Sequence, residues 1–170
     1  MSAEILTADA YPSMRLFTVG QSTKGGNPLD ELATIEEGWT VASSAAVGAT
    51  AWQTFSAVCY LFGRNVADAL DVPIGLVSNN WGGTSVQSWS SNAALSACNA
   101  TTGSDLYNPM IHPYVVGPMR FDGTIWYQGE SNVGRHQQYR ELLPAMIADW
   151  RDAFEHCRTT SSDPVGTTNR

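Results

Sequence analysis

Gly123-Thr-Ile-Trp-Tyr-Gln-Gly-Glu-Ser-Asn132 is an apolar run that breaks off into glycine and polar residues. The first half reads as a buried strand, and Gln128 to Asn132 read as a loop at a strand's carboxyl end. The same layout occurs upstream. Pro73-Ile-Gly-Leu-Val-Ser-Asn-Asn80 is a short apolar run that opens into Trp81-Gly-Gly-Thr-Ser-Val-Gln-Ser-Trp89. Two such junctions in one small chain predict neighbouring strands whose ends feed one crevice. That is where open α/β sheets bind ligands.

Working outward, Met14–Val19 reads as a strand stopped by Gly20. Residues 20–53 form a long excursion, with a short strand expected at Gly38–Ala42. Phe55–Leu70 has helical period, with Phe55, Val58, Cys59, Phe62, Val66 and Leu70 recurring at steps of three and four. Pro73 then opens a strand over 73–79. A helix is expected near Ser85–Ser91, a surface loop over Asn92–Asp105, and a turn or single helical turn over Tyr107–Pro113. Strand 123–128 leads to a helix from Gln137 to Phe154, with Leu142, Leu143, Met146, Ile147 and Trp150 on one face. Pro144 inside it implies a kink or a late start. From Cys157 the chain loses apolar period and reads as a disordered tail over 157–170. Strands alternating with helices predict an α/β fold, a parallel three-layer α/β/α sandwich. Three strands are few for such a domain, so an incomplete sheet is expected.

The chain has 170 residues, about one domain, and its 43% hydrophobic share suffices for a core. Six Trp and six Tyr are many for this length, and aromatic-rich loops often contact sugars. A net charge of −7 with nine Lys and Arg, and no basic stripe, argues against nucleic acid. No run approaches membrane-span length, so no membrane insertion is expected. The first ten residues lack the pattern of a signal peptide, which leaves localisation open. Cys59 reads as a buried thiol, whereas Cys98 and Cys157 are candidates for pairing that sequence cannot establish. Asn99-Ala-Thr101 matches a glycosylation acceptor, relevant only in a secreted protein.

Several residues are candidates for chemistry. Gly82 and Gly83 sit where a strand turns into a helix, so their N–H groups could face developing negative charge. The same glycines are equally consistent with a tight turn. Gln128 could donate an amide hydrogen to an oxyanion. Glu130 could orient the site, and Asn132 could cap the next segment or, with Trp81 and His112, contact substrate. His112, between Ile111 and Pro113, also fits a structural role. No histidines have metal-ligand spacing, so no metal and no cofactor are assigned. Gly20-Gln21-Ser22 follows a strand like a nucleophile turn, but Thr23-Lys24-Gly25-Gly26 places no helix behind the serine.

Together these stretches resemble the sialate O-acetylesterases, a branch of the SGNH (GDSL-like) hydrolases. The carriers are Tyr11–Val19, Phe55–Arg64, Pro73–Thr84, Leu106–Pro113, Trp126–Asn132 and Tyr139–Arg151, in the family's order. The resemblance implies a flavodoxin-like sheet, with residues 1–156 as a partial esterase domain. It also implies hydrolysis of O-acetyl esters on sialic acids or related sugars by a serine nucleophile and an Asp-x-x-His pair. It assigns Gly82, Gly83 and Gln128 to the oxyanion hole, and a typically secreted or lysosomal setting. The family's Gly-Gln-Ser-Asn nucleophile motif precedes the matching segment. Its Asp-x-x-His motif follows the last matching helix, and Asp152 and His156 do not fit it. The chain therefore reads as the central part of an esterase. A non-catalytic carbohydrate-binding or interaction protein, and an esterase built on Ser22, are the alternatives.

Overall fold

The computed structural model describes residues 2–21, 24–48 and 55–160. They divide into two units, one from residues 1–24 and 32–82, the other from 25–31 and 83–170. Ser22 and residues 161–170, with the expectations attached to them, lie outside the described residues.

Unit one contains the sheet. Helix α1 (Ser2–Leu6) runs into a 3₁₀ turn (Thr7–Ala10), followed by β1 (Arg15–Val19), β2 (Ile35–Val41), α2 (Ser44–Gly48), α3 (Ala57–Leu70) and β3 (Gly75–Ser78). The strand order is β2-β1-β3. β1 and β3 are parallel, with Leu16 opposite Leu76 and Thr18 opposite Ser78. β1 and β2 are antiparallel, so the sheet is mixed where a parallel one was expected. The connections explain the difference. A parallel pair needs a crossover, which α3 supplies between β1 and β3, whereas an antiparallel pair does not. The described residues thus form an α/β arrangement with a three-stranded mixed sheet. In central β1, Leu16, Phe17, Thr18 and Val19 are all buried, while edge strand β2 carries the exposed Glu36 and is largely open to solvent.

α3 starts at Ser56, whose hydroxyl accepts from the Cys59 N–H at 3.3 Å. It stops at Asp71, whose φ of 51° is left-handed and whose N–H reaches the Ala67 carbonyl. The ends agree with the sequence reading, but the buried face does not. Tyr60 and Gly63 are buried, while Val58, Phe62 and Leu70 are exposed. A Cβ on Gly63 would lie 2.5 Å from Leu76 Cδ1, so the glycine sets the line along which helix meets strand. The larger apolar residues turn outward as a result. The core of this unit is Ala8, Met14, Leu16, Ala42, Ala46, Tyr60 and Leu76.

Unit two is helical. It contains α4 (Val86–Trp89), α5 (Asn92–Ala97), a π turn (Tyr107–Ile111), α6 (His112–Val116), a 3₁₀ turn (Glu130–Asn132) and α7 (His136–Thr160). Three expectations need correction. Residues 92–97 are a helix, not a surface loop; Ser91 caps it by accepting from the Ala94 N–H at 3.1 Å, and Leu95 is buried. The helix expected near 85–91 is only the single turn α4. Residues 123–129 have no regular structure where a strand was expected. α7 passes through Pro144 and continues to Thr160, beyond the expected end at 154. Leu142, Met146 and Trp150 are its buried positions, and Ile147 is exposed. Trp126 meets Trp89 and Trp150 edge-on, with centroids 6.4 and 6.1 Å away. These rings are core packing rather than sugar platforms.

Candidate active site

Asn132 is 3% exposed and every polar atom of its side chain is engaged. Its Oδ1 accepts from the Val86 N–H at 3.0 Å and from Gln128 Nε2 at 2.8 Å. Its Nδ2 donates to Gln87 Oε1 at 3.0 Å, and Gln87 Nε2 donates to Gln138 Oε1 at 2.6 Å. Gln128 Nε2 also donates to the Thr84 carbonyl at 3.0 Å. Because a backbone N–H can only donate, the Val86 bond fixes which Asn132 atom is oxygen. Each following amide is then fixed in turn. The Gln128 backbone is held as well: Tyr139 Oη donates to its carbonyl at 2.9 Å, and Trp126 Nε1 donates to Tyr139 Oη at 3.3 Å.

This geometry brings Gln128 and Asn132 against Thr84, the residue after the glycine pair. It also changes what Gln128 offers. Both of its amide hydrogens have internal acceptors, while its Oε1 is buried without a hydrogen-bond partner. The amide donor expected from sequence is committed inside the unit. Asn132 does not cap the segment after it; it reaches back 46 residues to the start of α4. Glu130 is exposed on its 3₁₀ turn.

Gly83 has a φ of +73°, a left-handed conformation that requires glycine. A Cβ at either Gly82 or Gly83 would meet nothing within 4 Å, so the turn has open space beside it. The helix dipole expected behind the turn is small, since α4 is one turn long and Asn132 already takes its Val86 N–H. Trp81 is half-buried just before the glycines, with Lys24 Nζ 5.9 Å from its ring centroid. Beside it, Gln21 Nε2 donates to the Asn80 carbonyl at 2.6 Å and to Asn80 Oδ1 at 3.2 Å. Asn80 Nδ2 donates to Ser78 Oγ at 2.5 Å. These groups lie where β1 and β3 end.

His112 donates from Nδ1 to the Leu29 carbonyl at 3.0 Å. Its ring lies edge-on to Tyr107, 6.4 Å between centroids. Burial, reinforced by the charge of Asp149, pushes the Tyr107 hydroxyl up to about 12. Cys59 is half-buried where a buried thiol was expected, and that burial pushes its thiol up to about 11. The proposed Cys98–Cys157 pairing lies outside the described residues. Among the described residues, no group of three His, Cys, Asp or Glu side chains could hold a metal ion. Sequence reasoning missed Lys24, Thr84, Gln87, Gln138 and Tyr139. Of these only Lys24 carried a signal, as the one lysine of the chain.

Residues 31–158 match the carbohydrate esterases described as sialic acid-specific acetylesterases. The sialate O-acetylesterases of Pongo abelii and Homo sapiens are each 37% identical over 166 residues, covering 89% of this chain and 31% of theirs. The crystal structure of a carbohydrate acetylesterase from Xanthomonas citri is similar at a TM-score of 0.77 and 31% identity, over 91% of this chain and 34% of that one. The chain therefore spans about a third of the length of these relatives. The matched region holds both glycine motifs and the whole amide network, and the chain belongs to the sialic acid-specific acetylesterase family of carbohydrate esterases.

Proposed function

We propose that this chain shapes the ester-binding part of a carbohydrate O-acetylesterase acting on acetylated sialic acids or related sugars. The observation carrying this reading is the amide network that ties Thr84 to Gln128 and Asn132. Acyl transfer needs a nucleophile, a base and donors for the oxyanion. Here the Gly82–Gly83 turn contributes backbone N–H groups beside open space. Gln128 holds the Thr84 carbonyl and so orients the peptide that follows it. Asn132 is a positioning residue that keeps Gln128 in place. Glu130 orients the site from its exposed turn.

None of the 170 residues matches the family's nucleophile or Asp-x-x-His motif, so the chain by itself is expected to turn over p-nitrophenyl acetate little or not at all. The same mismatch favours a second reading, a non-catalytic carbohydrate-binding protein of esterase descent. Joining the chain to the flanking segments of a relative separates the two. Acetate release from an O-acetylated sialic acid is expected in the chimera, and Gln128→Ala is expected to lower kcat by about 10². A folded chimera without turnover, or with turnover indifferent to Gln128→Ala, rejects the esterase role. Turnover by the chain alone that is lost in Ser22→Ala would instead place the nucleophile at Ser22.

A further inference from the structure

Asn99-Ala-Thr101 is the only Asn-x-Ser/Thr triplet in the 170 residues, and its middle residue is not proline. It begins just past the C-cap of α5, Cys98. Asn99 has a φ of +52°, in the left-handed region that asparagine enters more readily than most residues with a side chain. Its N–H donates to the Ser96 carbonyl at 3.2 Å, and the Ala100 N–H donates to the Leu95 carbonyl at 2.9 Å. These two bonds make a Schellman cap, with Asn99 in the place that glycine usually takes. Leu95 and Ala100 are buried, whereas Asn99 and Thr101, on either side of Ala100, are exposed. Among the described residues, neither exposed side chain takes part in a hydrogen bond. The cap accounts for an asparagine at 99. It does not account for a hydroxyl two residues later.

We propose that Asn99 is an N-glycosylation site that carries an oligosaccharide on Nδ2. The transfer joins Asn99 Nδ2 to the anomeric carbon of the first sugar. The bond that breaks runs from that carbon to the pyrophosphate of a lipid-linked oligosaccharide donor. The lipid pyrophosphate leaves, and Nδ2 gives up one proton to a base of the oligosaccharyltransferase. That enzyme reads the Thr101 hydroxyl, which is why the residue type at 101 matters. Donor and transferase meet in the secretory route, so the modification places the chain there. The fold accommodates the product. The α5 cap is made by backbone N–H and carbonyl groups, so a sugar on Nδ2 displaces none of its bonds. A bulky hydrophilic group on an exposed turn stays in solvent. The proposal is independent of the esterase reading.

The test has two arms. In the first, the 170-residue chain is expressed behind a cleavable secretion signal in cultured animal cells and treated with peptide-N-glycosidase F in ¹⁸O water. The expected results are a single downward shift on a gel and an ¹⁸O-labelled deamidated peptide that maps to Asn99. Thr101→Ala is expected to abolish the shift and Thr101→Ser to keep it. Asn99→Gly is expected to abolish it while keeping the cap, since glycine suits the left-handed position. Transfer acts on the emerging chain, so the folding of a variant does not decide these results. In the second arm, the endogenous protein is immunoprecipitated from the cells that make it, and the same shift and the same peptide are expected. An unshifted chain in either arm overturns the proposal. So does a shift that survives in Asn99→Gly or in Thr101→Ala. None of these readouts involves turnover, so failed acetate release leaves them unmoved, and a missing glycan leaves the esterase reading standing.

Discussion

Residues 75–78 and 123–128 carry the same sequence pattern and end differently. The first segment is β3, paired with β1 through four consecutive residues. The second has no regular structure, yet its side chains still alternate. Ile125 and Tyr127 are exposed, at 40% and 79%, while Trp126 turns to the two core tryptophans and Gln128 to the amide network. Alternation is a property of extended backbone alone. A ladder also needs a neighbour whose N–H and C=O groups are available in register. What holds 123–128 is side-chain hydrogen bonding at its far end, and what holds 75–78 is backbone pairing along its length.

The comparison breaks most sharply at Asn132. Asn132→Leu leaves the Val86 N–H, the Gln128 amide and Gln87 Oε1 without their partner, and is expected to cost on the order of 4 kcal/mol in a urea melt. A loss below about 1 kcal/mol would show that the network does not hold 128–132. Leu76→Ala, in β3 and facing Gly63, is expected to cost about 3 kcal/mol. The corresponding Tyr127→Ala is expected to change stability by no more than about 0.5 kcal/mol, because that side chain faces solvent. Gly103→Ala is expected to cost about 2 kcal/mol, since its Cβ would fall 2.3 Å from the Gln87 carbonyl oxygen and push at a member of the network.

A pH dependence is also expected. Tyr107 ionises near 10 when unfolded but is held up to about 12 in the fold by burial, with Asp149 adding to it. Between those values the native state keeps a proton that the unfolded state has lost. The contribution is therefore complete below about 10 and is lost as pH rises toward 12. Chemical denaturation across that range is expected to show a shallower decline in Tyr107→Phe. An unchanged slope would place the titration elsewhere.

Much of this was legible because it is local. β1, β3 and the span of α3 follow from short apolar runs, helical period and the Pro73 that opens the next strand. The buried face of α3 was not legible, because the apolar residues mark one side and Gly63 packs on another. The single turn α4 and helix α5 were obscured by small polar residues that read as loop until Ser91 is seen capping. At the site, the glycine turn and Gln128 stood out. Asn132 stood out too, but Thr84, Gln87 and Gln138 did not, since Gln87 meets Asn132 across 45 residues and glutamines look alike whether buried or solvated. The reversal of the Gln128 amide depends on the direction of those bonds, which no sequence pattern encodes.

Residues 25–31 belong to the second unit although the chain around them belongs to the first. Leu29 bonds to Asn108 and His112, and the Asn108 side chain bonds back to Gly26, across about 80 residues. On a ribosome making roughly 5–20 residues per second, that separation is a wait of about 4–16 seconds. During this interval Gly25–Glu31 has left the exit tunnel before its partners exist. The order of synthesis therefore puts the closing of the second unit late, and a pause placed between codons 31 and 108 would lengthen the time this segment spends without its native bonds.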